Sequence, residues 1–301
     1  MKEKTFSPVV VFAFNRPDSL RNTITTLAAN AEASSTDLYV FVDGPRESKE
    51  GEATKVEAVR SYVATITGFR SVAHSFSETN KGLAPSIIAG VTKVLSRHPS
   101  AIIVEDDLVV ASNFLAFMNA GLERYANQPA VFSVCGYTNR VTIPEDYKYD
   151  AYFCVRSSSW GWATWADRWA SVDWQLKDWE RHKRNALAFC RWGGSDCWKM
   201  LDDWHRGRNK SWAIRFCYAQ YVQNKLSLFP TRSKVNNEGF DGKGTNCKKW
   251  SRFKCDIDTS GNKTYRLPEN IEMNRHLYRS AKHYHSLPLR LYSKLMYIIY
   301  K

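Results

Sequence analysis

Up to about residue 125, apolar runs of strand length alternate with longer stretches of helical period. VVVFAF (Val9 to Phe14) leads into RPDSLRNTITTLAANA, where Pro17 marks a helix start and Leu20, Ile24 and Leu27 share one face. LYVFVD (Leu38 to Asp43) is followed by EATKVEAVRSYVATI, FRSVAHSF by LAPSIIAGVTKVLSRH, and AIIVED (Ala101 to Asp106) closes the series. Four strands with three intervening helices predict a parallel sheet, because continuous apolar runs suit strands covered on both faces.

In such a sheet ligands bind outside the carboxyl ends of the strands, at one rim. The first strand ends in Asn15 and Arg16, the second in Asp43 and Gly44, the fourth in Glu105, Asp106 and Asp107. Each ionised carboxylate withdrawn from water costs several kcal/mol unless paired or bound to a cation. A rim with one Arg and several acids therefore suits a nucleoside diphosphate carried with Mg²⁺ or Mn²⁺ better than a nucleic-acid backbone. A solvated strand end followed by a helix cap is the plainer alternative for EDD.

Beyond about Ala130 the chain becomes aromatic-rich: Trp160, Trp162, Trp165, Trp169, Trp174 and Trp179 fall within SSSWGWATWADRWASVDWQLKDWE. Core packing accounts for about half of them, while Trp160 and Trp162 are expected to face a ligand, since Gly161 between them permits close approach. Two more helices and a Gly/Asn-rich loop follow. No internal repeat or low-complexity linker separates the halves, so residues 1–272 are expected to form one domain, with halves 1–128 and 129–272. The tail 273–301 has no acid and carries Arg275, Arg279, Lys282, Arg290, Lys294 and Lys301 among Leu, Tyr, Met and Ile. It reads either as an interfacial basic amphipathic segment on an anionic membrane or as a packed helix with solvated charges.

The 301 residues are 44% apolar and 14% aromatic, enough for a real core, and the net charge of +13 is dispersed rather than gathered in one arm. Seven cysteines without a CxxC pair suggest neither a zinc knuckle nor a disulfide framework, and reduced thiols are expected. The first apolar run lacks a cleavage pattern, and no stretch approaches the roughly 20 apolar residues of a membrane span. A cytoplasmic protein, peripheral on the inner face of the membrane, is expected.

The ordered segments VVVFAFNRPDSL, LYVFVDGP, ETNKGLAPSIIAGV, AIIVEDDLVVASNFLAFM, SSWGWATWADRW, SWAIRFCYAQY and NNEGFDGKGTN resemble the GT-A class of nucleotide-sugar glycosyltransferases. The likeness is to bacterial sugar transferases of polysaccharide loci and, more distantly, to the N-acetylglucosaminyltransferase I group. It implies a Rossmann-like α/β fold with a mostly parallel central sheet flanked by helices. Residues 1–128 would bind the nucleotide sugar and 129–272 the acceptor. It implies Asn15, Arg16 and Asp43 at the nucleotide, Lys81 near the donor, Glu105 at the donor sugar, Asp106 at the ribose or sugar, and Asp107 on the metal. Trp160, Gly161 and Trp162 would lie on the acceptor side. The general base is expected in LDDW as Asp203 or Asp202, with Asp173 a third candidate. Asn246 stands where many such bacterial proteins have His.

The expected activity is inverting, metal-dependent sugar transfer to a saccharide or lipid-linked acceptor in O-antigen, capsule or lipopolysaccharide synthesis. A non-catalytic carbohydrate-binding protein would explain the Trp-rich half alone. A basic nucleic-acid-binding protein would explain the charge, but the acidic rim opposes it, and no nucleic-acid partner is expected.

Overall fold

A computed structural model describes residues 6–239 and 252–299; Asn246 and most of its loop lie outside the described residues. The strands are β1 (Val9–Ala13), β2 (Asp37–Val42), β3 (Ser71–Phe76), β4 (Ser100–Glu105), β5 (Leu108–Val110), β6 (Val131–Cys135), β7 (Ala151–Cys154), β8 (Trp162–Trp165), β9 (Leu226–Pro230) and β10 (Val235–Asn237). The helices are α1 (Pro17–Ala28), α2 (Glu52–Val63), α3 (Leu83–Leu95), α4 (Phe114–Arg124), α5 (Ala166–Ala170), α6 (Trp179–Lys183), α7 (Ala186–Gly193), α8 (Cys197–His205), α9 (Trp212–Val222), α10 (Arg275–His283) and α11 (Leu287–Ile299).

Eight strands form one mixed sheet in the order β3-β2-β1-β4-β8-β6-β9-β7. The first four are mutually parallel, as their apolar runs and intervening helices predict. β8 enters antiparallel between β4 and β6, which joins the aromatic-rich half to the same sheet. β5 and β10 form a separate antiparallel pair beside the turn that ends β4.

The period of two along each strand divides the core into two layers. Val9, Val11, Ile102 and Val104 pack with α1, α2 and α4 on one face, and Val10, Phe12, Ala101 and Ile103 with α3 and α9 on the other. The same alternation corrects the expectation for Trp162. Paired with Ile103, it turns into the α3/α9 layer, is 1% exposed, stacks on Trp212 (5.0 Å) and Trp169 (5.8 Å), and meets Phe216 (5.0 Å) at a tilt. It is core and has no face for a ligand.

The tail begins as packing. Leu277 and Ala281 of α10 are buried with Tyr152 and Phe229 of β7 and β9. α11 differs: Leu287, Leu291, Tyr292 and Leu295 are each at least half exposed. Among the described residues no helix is long and apolar enough to cross a membrane.

Candidate active site

The rim begins where β1 turns into α1. Pro17 at the first helical position fixes its own φ and holds Arg16 out of helical geometry, so Arg16 sits at the helix entry with φ −123°. Its guanidinium donates to Asp106 Oδ1 (2.5 Å) and Asp107 Oδ2 (3.3 Å) across the gap to the end of β4. The backbone N–H of Phe14 donates to the other Asp106 oxygen (3.3 Å). The parallel pairing of β1 with β4, which places Phe12 opposite Glu105, brings these groups together.

Three acids thus share one arginine. Burial, with the charges of Asp107 and Asp106 next, pushes the Glu105 carboxyl up to about 8, so at neutral pH it is largely protonated. Burial likewise raises Asp106 to about 6, although Arg16 opposes the shift. Burial works against the charge of Arg16 itself, and the two aspartates outweigh it and raise its pKa. Asp107 Oδ1 is buried and has no hydrogen-bond partner among the described residues. Its other oxygen abuts Gly239, where an added Cβ would lie 2.7 Å away.

Among the described residues no three His, Cys, Asp or Glu side chains form a set that could hold a metal ion unaided. Mg²⁺ commonly takes only one or two carboxylates and completes its shell with water and phosphate oxygens. The orphaned Oδ1 of Asp107 fits that smaller donor set.

Asp43 is at the rim, but its carboxylate is occupied by the backbone N–H groups of Gly44, Lys81 and Gly82 at 2.8–3.0 Å. It fixes the loop into α3, and that loop carries Lys81, whose side chain is exposed. Asn15 donates its amide to Glu52 (3.1 Å), which also accepts from Arg46. Glu52 and Arg46 were not signalled by the sequence: a Glu in the first turn of an amphipathic helix ordinarily reads as a solvated cap. Hydrogen bonds from Arg46 hold Glu52 down to about 2. Its stabilising effect is therefore complete above its unfolded value of 4.5 and is lost as pH falls towards 2. The stability gap between the native chain and Glu52→Gln should close between about pH 5 and pH 2, measured by thermal unfolding across that range.

The expected base does not join the rim. Asp203 accepts from Lys199 and Arg208, and Asp202 pairs with Arg206 (2.7 Å). The hydrogen bond from Lys199, with Arg208 beside it, lowers the Asp203 pKa, which makes it a weaker base. Asp173 caps a turn by accepting from Gln175 and Leu176 (both 3.0 Å). Among the described residues no hydrogen bond or ion pair links these three acids to Arg16, Glu105, Asp106 or Asp107. LDDW carries the acids of a charged helix face, and its spacing alone does not distinguish that from a catalytic position.

Trp160 is half-buried against Tyr137 and Phe253, and lines a cavity of about 230 Å³. Gly161 is buried with φ +57°, and an added Cβ would lie 2.7 Å from Val235 Cγ2. Its missing side chain lets Val235 approach closely where the chain turns between Trp160 and Trp162.

No protein-family model and no curated protein sequence matches the chain. Among solved structures it is similar to residues 1–349 of S. aureus TarS, at 11% identity and TM-score 0.41, over 79% of this chain and 61% of that one. A second S. aureus TarS structure is similar at 14% identity and TM-score 0.36, over 58% of this chain and 29% of that one. The chain thus spans less than two thirds of either.

Proposed function

We propose that the protein is a glycosyltransferase that moves a sugar from a nucleotide-sugar donor to a saccharide or lipid-linked acceptor in surface polysaccharide synthesis. The observation that carries the reading is the orphaned Asp107 carboxylate oxygen, buried at the strand-end rim beside Glu105, Asp106 and a single Arg16. One buried and two partly buried acids around one arginine are a poor way to hold a fold together and a suitable way to receive a cation-bound diphosphate.

In this reading Asp107 is the protein ligand of Mg²⁺ or Mn²⁺, which when bound supplies Lewis-acid stabilisation to the departing diphosphate. Arg16 orients Asp106 and Asp107 and adds positive charge near the phosphates. Asp106 and Glu105 face the ribose and the donor sugar, where carboxyl oxygens can accept hydrogen bonds from their hydroxyls. Asn15, its amide oriented by Glu52, meets the nucleotide, and the loop held by Asp43 presents Lys81. Inversion at the anomeric carbon remains part of the proposal and requires a base on the acceptor side.

Calorimetry with UDP-, dTDP- and GDP-sugars tests the reading: one should bind with Mn²⁺ and lose most of its affinity in EDTA. Absence of binding across the panel would refute it. A sugar that binds with no nucleotide requirement would instead favour a non-catalytic carbohydrate-binding protein.

The exposed face of α11 supports peripheral attachment to an anionic membrane. Leu287, Leu291 and Leu295 recur every four residues, Lys294 adjoins them, and no acid occurs after Glu272. Removing residues 286–301 should abolish co-sedimentation with phosphatidylglycerol vesicles while leaving donor binding intact. Unchanged sedimentation would return α11 to simple packing.

A further inference from the structure

The cavity beside Trp160 is built from both halves of the chain and from the tail. Tyr137 and Trp160 form one wall, Trp192 and Phe229 further apolar surface, and α10 with His285 closes it. Its size of about 230 Å³ lies below the ~300–1,000 Å³ typical of sites for drug-sized ligands. It has room for a group of about one ring.

The charged groups that line it already hold hydrogen-bond partners. Arg156 donates twice to Asp196 (2.7 and 2.8 Å) and once to the Gly193 carbonyl (3.0 Å). Lys282 donates to the Arg191 carbonyl (2.5 Å) and the Tyr278 hydroxyl (3.1 Å). His285 has a buried Nδ1 with no hydrogen-bond partner among the described residues. Burial, with Arg156 beside it, drives the His285 pKa well below its ordinary value, so the ring is neutral. Aromatic walls, an uncharged imidazole and the edge formed by Ser157 to Ser159 offer apolar faces and neutral hydrogen-bonding groups together. An anionic occupant would have to draw Lys282 from the Arg191 carbonyl and the Tyr278 hydroxyl, and a cationic one would meet Arg156 and Lys282 with its own sign of charge.

The cavity is tied to the rim through backbone. The Asp107 carbonyl accepts from Glu238 (2.9 Å), and β10 pairs with β5. Lys234, at the head of β10, donates to the Gly136 carbonyl (2.8 Å), and Gly136 donates to the Gly161 carbonyl (2.6 Å). Tyr137 and Trp160 are the next residues along the chain from this pair. One strand pair therefore sets the distance between Asp107 and the cavity.

We propose that this cavity is the acceptor subsite, that it takes one uncharged sugar ring, and that α10 is part of it. The proposal rests on the donor reading of the rim for the word acceptor, and on the cavity alone for the uncharged ring. The ring lies with its apolar C–H face on the aromatic wall and its hydroxyls toward His285 Nδ1 and the serine edge.

Saturation-transfer NMR with methyl glycosides of glucose, galactose, N-acetylglucosamine and glucuronic acid, and with an octyl alcohol, tests it. The native chain should bind at least one neutral glycoside. Ala281→Leu, which fills the cavity, and His285→Phe, which removes the orphaned nitrogen, should each weaken it at least about tenfold. Nucleoside diphosphate with Mn²⁺, followed by calorimetry, should bind both variants as it binds the native chain. Where Ala281→Leu does not fold, His285→Phe decides alone. Undiminished glycoside binding in the folded variants, no neutral glycoside bound by the native chain, or preference for the glucuronide or the octyl chain would each overturn it. If glycosides bind as expected but no nucleotide does, the uncharged-ring subsite stands and the glycosyltransferase reading falls.

Discussion

Asp107→Asn should reduce sugar transfer roughly 10³-fold at saturating donor and Mn²⁺, because a cation ligand stabilises the departing diphosphate by several kcal/mol. The substitution is nearly isosteric, and Arg16 keeps Asp106 as its partner (2.5 Å), so the fold has little reason to respond. Thermal unfolding should therefore stay close to that of the native chain while initial rates collapse. A variant of full activity would remove Asp107 from the metal. A variant that loses its stability along with its activity would mark the rim as a structural network instead.

Trp162→Ala should behave in the opposite manner, destabilising the protein by about 3–5 kcal/mol, the range for truncating a large aromatic side chain in a packed core. Its ring contacts Trp169, Trp212 and Phe216 at centroid distances of 5.0–5.8 Å, and truncation removes all three contacts. Denaturant titration reads this as a lower midpoint with an unchanged slope. Retained stability with lost saccharide binding would restore Trp162 to the acceptor side.

These two residues show how unevenly the chain announces its roles. VVVFAF and AIIVED are readable as buried parallel strands because nothing but burial on both faces explains unbroken apolar runs. The acids at the end of AIIVED are then placed at a rim by topology alone. WGW has no such property. Trp160 precedes β8 and Trp162 opens it, and the left-handed turn at Gly161 (φ +57°) between them sends one ring to the cavity and the other into the α3/α9 layer. The pairing of Asp203 was legible, by contrast: Lys199 stands four residues before it on the same helix and Arg208 five residues after it, so its ion pairs are local.

What the amino-acid sequence determined by itself was the alternation of elements, the parallel half of the sheet and the identity of the rim residues, all of which follow from local period and chain direction. Only the tertiary structure decided that Glu52 orients Asn15, that Asp43 serves the loop carrying Lys81, that Trp162 is core, and that α10 closes a cavity beside Trp160. Each of these depends on contacts between segments far apart in the chain. A residue's own neighbours carry no trace of such contacts, because burial and pairing across the sheet are set by packing and not by composition.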